Sequence, residues 1–272
     1  MESDLEKVCL IAKEAGDLLL DFAGRLDANQ VSSKSASRDL VTAADLAAEE
    51  HIIARLRSEF PGTSFWAEES CAADDGESVQ WCIDPLDGTV NFVQQLPMYA
   101  VSIARLVDKK VDLAVIYLPV LDQCFSASQQ QVSQLNGCEI SVSDTAELGD
   151  AVLATGFPYK RHVLNDNNLE NFNRLFLKQR GIRRMGAAAI DLAYVACGRL
   201  DAFWELHLSP WDVAAGAYLV ERAGGVADTI VPGKPWLTSR NIIAGNAQLV
   251  DALRIELLDG RDQNYPDLGE GD

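Results

Sequence analysis

The sequence predicts a layered α/β or α+β fold, and three observations carry that expectation. Two helix-period segments come first, over Leu5–Phe22 and Ala43–Phe60. Apolar runs in close succession from Ala100 to Ala127 then have the pattern of an antiparallel meander. From Ala151 to Leu258 strand and helix patterns alternate, which calls for helices packed against a second sheet.

The first helix carries apolar side chains at Leu5, Val8, Ile11, Ala12, Ala15, Leu18, Leu19 and Phe22, with Gly24 as its stop. Residues 29–39 are polar and Ser-rich, hold Lys34 and Arg38, and are expected to form a loop. Thr42 is the N-cap of the second helix, which places Asp45 in its first turn; Pro61-Gly62 closes it. Thr63–Ala67 is a short strand ending at Glu68-Glu69. Trp81–Ile83 is a buried strand that Pro85 should end, because proline cannot donate to a ladder. Gly88-Thr89 can then open a helical turn with free N–H groups. The meander follows, with a turn at Asp108-Lys109-Lys110 and a polar connection over Gln129–Gln134.

In the second half, strands are expected at Ala151–Thr155, Gly181–Arg184, Asp201–Glu205 and Ile242–Gly245. Helices are expected at Leu164–Gln179, Ala187–Cys197, Pro210–Ala223 and Leu249–Leu258. Ser209 and Pro210 fit N-cap and N1 of the third of these. From Gly260 to Asp272 the composition is that of a disordered tail.

Composition narrows the function. With 272 residues, 48% hydrophobic and 24% charged, the chain can bury a large core. A formal net charge of −18 argues against nucleic acid as the main ligand but not against a small phosphate held through bound cations. The six cysteines are scattered with no C-x-x-C pair, which fits reduced thiols and a cytoplasmic location. Neither a signal peptide nor a membrane-spanning run is evident.

The chemistry lies in acids at the ends of these elements. Glu68 follows one strand, Asp84 and Asp87 follow the next, and Asp212 sits in the first turn of a helix. Each has apolar or turn-forming neighbours: Trp66 and Ala67, Trp81–Ile83, and Trp211 with Val213. Acids so placed are costly unless compensated, and an all-oxygen set with no His or Cys favours Mg²⁺, Mn²⁺ or Ca²⁺. Gly88-Thr89 beside them offers an anion cradle. A surface turn is the plain alternative for Asp84–Gly88, as helix-dipole complementation is for Asp45.

The ordered set Glu68-Glu69, Asp84-Pro-Leu-Asp87-Gly-Thr89 and Trp211-Asp212-Val-Ala-Ala-Gly216 resembles the inositol monophosphatase family, closest to bacterial members. Asp39-Leu-Val-Thr-Ala-Ala-Asp45, Ala154–Pro158 and Glu221–Gly225 support the match, which runs from Leu5 to Leu258. The resemblance implies a five-layer α-β-α-β-α sandwich shared with fructose-1,6-bisphosphatase. It also implies one domain over 1–259, an α+β part to about 145 and an α/β part from 146.

Carried over residue by residue, the resemblance implies a Mg²⁺ on Glu68, Asp84 and the Leu86 carbonyl, and a second on Asp84, Asp87 and Asp212. A third, weaker ion would lie near Glu68 and Glu69. Mn²⁺ could substitute and Li⁺ would inhibit. Phosphate would rest on the N–H groups of Gly88 and Thr89, beside Leu86 and Asp87. Thr89, bonded to Asp45, would orient and deprotonate the attacking water. Glu205, Gly186, Ala187 and Ala188 would contact the alcohol half of the substrate, with Arg183 as a substrate-side or dimer residue and Lys34 approaching on its loop. The expected substrate is an inositol monophosphate and the expected assembly a homodimer. Related alternatives are fructose-1,6-bisphosphatase, histidinol-phosphate phosphatase or a 3′-phosphoadenosine phosphatase; a non-catalytic regulatory protein on this scaffold is the alternative from another class. One departure stands out. Relatives usually carry glycines where this chain has Gln129–Gln134, which leaves one hairpin's shape open.

Overall fold

Helix α1 (Asp4–Ala23) turns one face inward, burying Leu5, Val8, Ile11, Ala12, Ala15 and Leu19, as the apolar spacing requires. The computed structural model describes residues 2–23, 31–33, 40–70, 78–262 and 264–268. Strands β1 (Val31–Ser33) and β2 (Leu40–Thr42) pair antiparallel ahead of α2 (Ala43–Glu59). Thr42 caps α2 as expected, its Oγ1 accepting from Ala44 N–H at 3.1 Å.

Among the described residues seven strands form the larger sheet, in the order β3 (Ser64–Ala67), β4 (Val79–Asp87), β5 (Ala100–Val107), β6 (Lys110–Leu118), β7 (Gln123–Ser128), β8 (Gln134–Leu135) and β9 (Cys138–Glu139). Only β3–β4 is parallel; the rest is the expected meander. Asp108 and Lys109 make the β5–β6 turn with φ of 49° and 64°. At Gln129–Gln134 the chain closes a tight turn without glycine, Ser128 and Gln131 exchanging backbone bonds of 3.1 and 3.3 Å. Helix α3 (Thr89–Val93) follows β4.

Among the described residues five strands form the second sheet, in the order β11-β10-β12-β14-β13. In chain order these elements are β10 (Val152–Thr155), α4 (Leu169–Leu175), β11 (Gly181–Arg183), α5 (Ala188–Ala196), β12 (Ala202–Leu206), α6 (Pro210–Arg222), β13 (Val226–Asp228), β14 (Asn241–Gly245) and α7 (Ala247–Leu258). Alternation along the strands sends Trp81, Ile83, Val101 and Ile103 toward α1 and α2, and Cys82, Ala104, Ala114 and Ile116 toward α5 and α6. The far face of α5 and α6 meets Phe203, Ile242 and Ala244; Leu153, Trp204 and Ile243 on the other side of that sheet meet α7 and α4. The five layers are thus helix, sheet, helix, sheet, helix, the architecture the resemblance implies.

Five expectations differ. Within residues 29–39, expected to be a loop, Val31–Ser33 form strand β1, because the chain doubles back and β2 supplies their backbone partners. Strand β4 does not end at Pro85: Asp84 pairs with Ser102 and Asp87 with Ala100, so the strand bulges across Pro85-Leu86 and resumes. The bulge keeps the proline nitrogen out of the ladder. Helix α4 is much shorter than Leu164–Gln179, because buried Asn168 takes φ 71° and ties the chain elsewhere. Its side chain donates to Gly156 O at 2.6 Å and accepts from Trp204 Nε1 at 2.9 Å. Strand β13 was not expected; three residues are too few for a sequence pattern. Finally, the segment expected to be disordered after Gly260 docks in part, with Tyr265 buried and its hydroxyl accepting from Asn171 Nδ2 at 2.6 Å.

Candidate active site

The β4 bulge and three helix starts gather the acids. Within the bulge, Leu86 N–H donates to Asp84 Oδ1 at 3.0 Å. Asp87, where pairing resumes, accepts on Oδ2 from Ala189 N–H in the first turn of α5 at 2.7 Å. Asp212 turns back on its own N-cap and accepts from Ser209 N–H on Oδ2 at 2.7 Å. Each of the three carboxylates is therefore fixed by a backbone N–H. Glu68 is placed by its N–H to Ile83 O at 3.1 Å, next to Asp84. Glu49 on α2, a buried residue the sequence did not single out, holds the turn after β3. Its two oxygens accept from Glu69 N–H and Ser70 N–H, both at 2.8 Å.

Electrostatics in this corner are unfavourable without a cation. Burial first, then Glu68, Asp87 and Asp212, pushes Asp84 well above the usual carboxylate range at 2% exposure. Asp212 is raised in the same way by burial, then by Glu68 and Asp87. Asp87 is pushed up to about 7 by burial against the opposing Ala189 bond. The acids are gathered rather than converged: among the described residues no three side chains close around one point. Hard oxygen donors, backbone-fixed and mutually repelling, are nonetheless the chemistry that fits a divalent cation of the Mg²⁺ type.

Thr89 stands at the start of α3, its Oγ1 at 3.2 Å from both Asp45 Oδ1 and Leu86 O. Asp45 is locked by Thr42, whose N–H and Oγ1–H donate to Oδ2 at 2.8 and 2.6 Å. Burial raises the Asp45 pKa against those bonds, so the carboxylate is a stronger base than an exposed one. Gly88 takes φ 94°, and a β-carbon there would lie 2.8 Å from Met98 O. Only glycine lets the chain turn from β4 into α3 with Thr89 beside Asp45.

A cavity opens beside this corner, lined by Asp87, Asp212, Gly186, Ala187, Ala188 and Glu205 from the sequence-derived set, with Gly156–Tyr159 as one wall. Glu205, 8% exposed at the end of β12, is pushed up to about 8 by burial, opposed by Arg184. A β-carbon at Gly156 would lie 2.1 Å from Glu205 Oε1, so glycine there leaves room for the carboxylate. Leu86, Gly88 and Thr89 do not line the cavity, and Lys34 lies outside the described residues.

Arg183 is exposed, donates to Ile182 O at 3.1 Å and does not line the cavity; Arg184 does. Two further lining residues had no role from sequence, Asp191 and His207. Asp191 is buried, its Oδ1 has no partner among the described residues, and burial followed by Glu205 and Asp87 raises it well above the usual range. An acid inside the apolar run Ala187–Ala193 was the available signal for it. Nothing local distinguished Glu49 from Glu50.

These shifts set a sign for stability. Folded, Asp87 and Glu205 protonate at about 7 and about 8, whereas unfolded carboxyls do so near about 4. Between those limits the folded chain holds more protons, so their contribution is full below about pH 4 and lost as pH rises through about 7 to 8. In excess chelator, Tm should therefore fall by several degrees from about pH 5 to about pH 9, at about 2–4 °C per kcal/mol for a chain this size. Added Mg²⁺ should restore most of the loss at the alkaline end. A flat or rising curve in chelator, read by calorimetry, would count against the buried acid cluster.

Similarity to known proteins fits this corner. The inositol monophosphatase family model matches residues 1–263. Nus factor SuhB of Escherichia coli strain K12 is 41% identical over 249 residues, covering 91% of this chain and 93% of that one. An inositol monophosphatase of Dictyostelium discoideum is 37% identical over 262 residues, covering 93% and 94%. The solved structure of inositol monophosphatase from Anabaena (Nostoc) sp. PCC 7120 matches with a TM-score of 0.84 at 37% identity, covering 96% of this chain and 97% of that one. A family match over nearly the whole chain, on a fold with the same layers, leaves one conclusion: the chain belongs to the inositol monophosphatase family.

Proposed function

We propose that the protein is a Mg²⁺-dependent phosphomonoesterase acting on inositol monophosphates. One observation carries the reading: buried Asp84 and half-buried Asp87 and Asp212, each fixed by a backbone N–H, stand together beside a Thr89–Asp45 pair. Glu68, Asp84, Asp87, Asp212 and the Leu86 carbonyl would hold the ions, with Glu69 near a third. Bound there, divalent cations acidify water and offset charge developing on the phosphoryl oxygens.

The chain's own groups do the rest. The N–H groups of Gly88 and Thr89 receive phosphate oxygens. Thr89 Oγ1 accepts a hydrogen bond from the attacking water and passes its proton toward Asp45, which burial has made more basic. Glu205 accepts hydrogen bonds from hydroxyls of the alcohol and repels a second phosphate, which favours inositol monophosphates over fructose 1,6-bisphosphate and nucleotide 3′-phosphates. The homodimer that the family resemblance implies, readable by sedimentation, and a cytoplasmic setting, supported by free thiols at Cys9, Cys82, Cys124, Cys138 and Cys197, complete the proposal. Among the described residues no helix is long and apolar enough to cross a membrane.

The test is a kcat/KM comparison of the three substrates with Mg²⁺ and with chelator. Activity should need the metal, and inositol monophosphate should lead. Glu205→Gln should weaken the inositol arm by about 1–3 kcal/mol, the worth of a hydrogen bond to a charged group. Preference of the unaltered protein for the bisphosphate or the nucleotide would overturn the inositol assignment alone.

A second reading is favoured by the name of the 41% identical relative, a Nus factor. A regulatory binding role of that kind could sit on the same scaffold, and a catalytically dead Asp84→Asn protein that keeps it would separate the two.

A further inference from the structure

The cavity wall Gly156–Tyr159 is anchored at its start. Gly156 O accepts from Asn168 Nδ2 at 2.6 Å, and Phe157 packs on Phe172 with ring centroids 5.8 Å apart. Arg161 N–H donates to Pro158 O at 3.2 Å and turns the chain beyond the wall. Tyr159, the last residue of the wall, lines the cavity together with Asp87 and Asp212 and is 44% exposed. Among the described residues its hydroxyl has no hydrogen-bond partner.

That free donor matters because of what else lines the cavity. Asp87, Asp191, Glu205 and Asp212 are acids, and most of the remainder is apolar. A phosphomonoester brings about two negative charges and oxygens that accept hydrogen bonds. Cations on the acids would offset the charge, but oxygens turned away from them still need donors. Two other side chains at the cavity carry N–H groups. Arg184 pulls against the burial that raises Asp87, Asp191 and Glu205, so its charge is already engaged by acids. His207 spends Nε2 on Asp166 O at 2.7 Å, and its Nδ1 is shut away. Tyr159 is left as the uncommitted donor. An ordinary phenol keeps its proton at neutral pH. Burial first, then Asp87, Asp212, Glu68 and Asp84, act on Tyr159 in the direction that holds the proton. Those four acids belong to the corner where phosphate would sit rather than to the Glu205 end of the cavity.

We propose that Tyr159 is a substrate-contacting residue whose hydroxyl donates a hydrogen bond to a phosphoryl oxygen of the bound monoester. A neutral donor suits the place, because it serves an oxygen that the cations leave free and does not compete with them for the acids. The inference rests on the phosphatase reading above. It adds to that reading a side-chain donor for the phosphoryl group, alongside the N–H groups of Gly88 and Thr89.

Tyr159→Phe removes the hydroxyl alone and leaves the wall its ring. The variant should fold with an unchanged Tm, since the hydroxyl holds no other residue in place. Three probes are measured with Mg²⁺ on both proteins. They are inositol monophosphate, cyclohexyl phosphate, whose six-membered ring has no hydroxyl, and inorganic phosphate as a competitive inhibitor. The expected result is a roughly tenfold loss of kcat/KM on both esters alike, the size of a lost hydrogen bond to a charged group. The inhibition constant of phosphate should rise by a similar factor, because all three probes share the phosphoryl oxygens. Unchanged kinetics in Tyr159→Phe overturn the proposal. A loss confined to inositol monophosphate also overturns it, because the contact then lies on the alcohol half. A loss on both esters that leaves phosphate inhibition unchanged shows that the hydroxyl does not touch the phosphoryl group, and overturns it as well. Hydrolysis of neither ester by the unaltered protein overturns the phosphatase reading and this proposal with it.

Discussion

Asp84→Asn should abolish hydrolysis, lowering kcat by about 10³-fold or more, because several kcal/mol of charge stabilisation depend on the ions this residue would share. Asp84 is the most hemmed in of the acids, at 2% exposure and in the field of Glu68, Asp87 and Asp212. Asparagine keeps the shape, and its side-chain oxygen can still accept from Leu86 N–H. The fold should therefore survive. In metal-free protein the change should raise Tm at alkaline pH, since one member of a repelling cluster becomes neutral. The same change should erase the Tm gain that Mg²⁺ gives the unaltered chain. Losing activity while gaining metal-free stability is a signature that a general folding defect cannot imitate. An Asp84→Asn protein that still turns over at saturating Mg²⁺, or still gains Tm from it, would refute the assignment.

Much of the layout was legible because it is written in short-range pattern. Thr42 and Ser209 announce helix starts, and each puts an acid in the first turn where the backbone can fix it; Asp45 and Asp212 are both held that way. The apolar periods of α1 and of the meander predict which faces are buried, and they are. Long-range pairing was not legible. Which of Arg183 and Arg184 faces the cavity depends on how the chain turns after β11, and neighbouring identical residues carry no trace of that. Asn168 looked like a helix residue until its side chain was seen bonded to Gly156 O and Trp204 Nε1. Glu49 is recognisable only from the two N–H groups it holds, twenty positions away.

Thr89→Ala should lower kcat by about 10²-fold with KM little changed, the expected size for a lost general-base relay. The Oγ1 lies 3.2 Å from Asp45 Oδ1, and no other hydroxyl is recorded against that oxygen among the described residues. Asp45 keeps its two bonds from Thr42, so the variant removes the relay without freeing the carboxylate. Thr89→Ser, which retains the hydroxyl, should recover most of the rate. Asp45→Asn should cost about as much as Thr89→Ala, and the double variant little more, because the two act as one unit. The Mg²⁺-dependent Tm gain should persist in all four, since neither residue belongs to the acid cluster. No phosphorylated residue should accumulate under turnover, because water and not a side chain attacks. Wild-type kcat in Thr89→Ala, additive losses in the double variant, or a trapped phosphoenzyme would each remove Thr89 from this role.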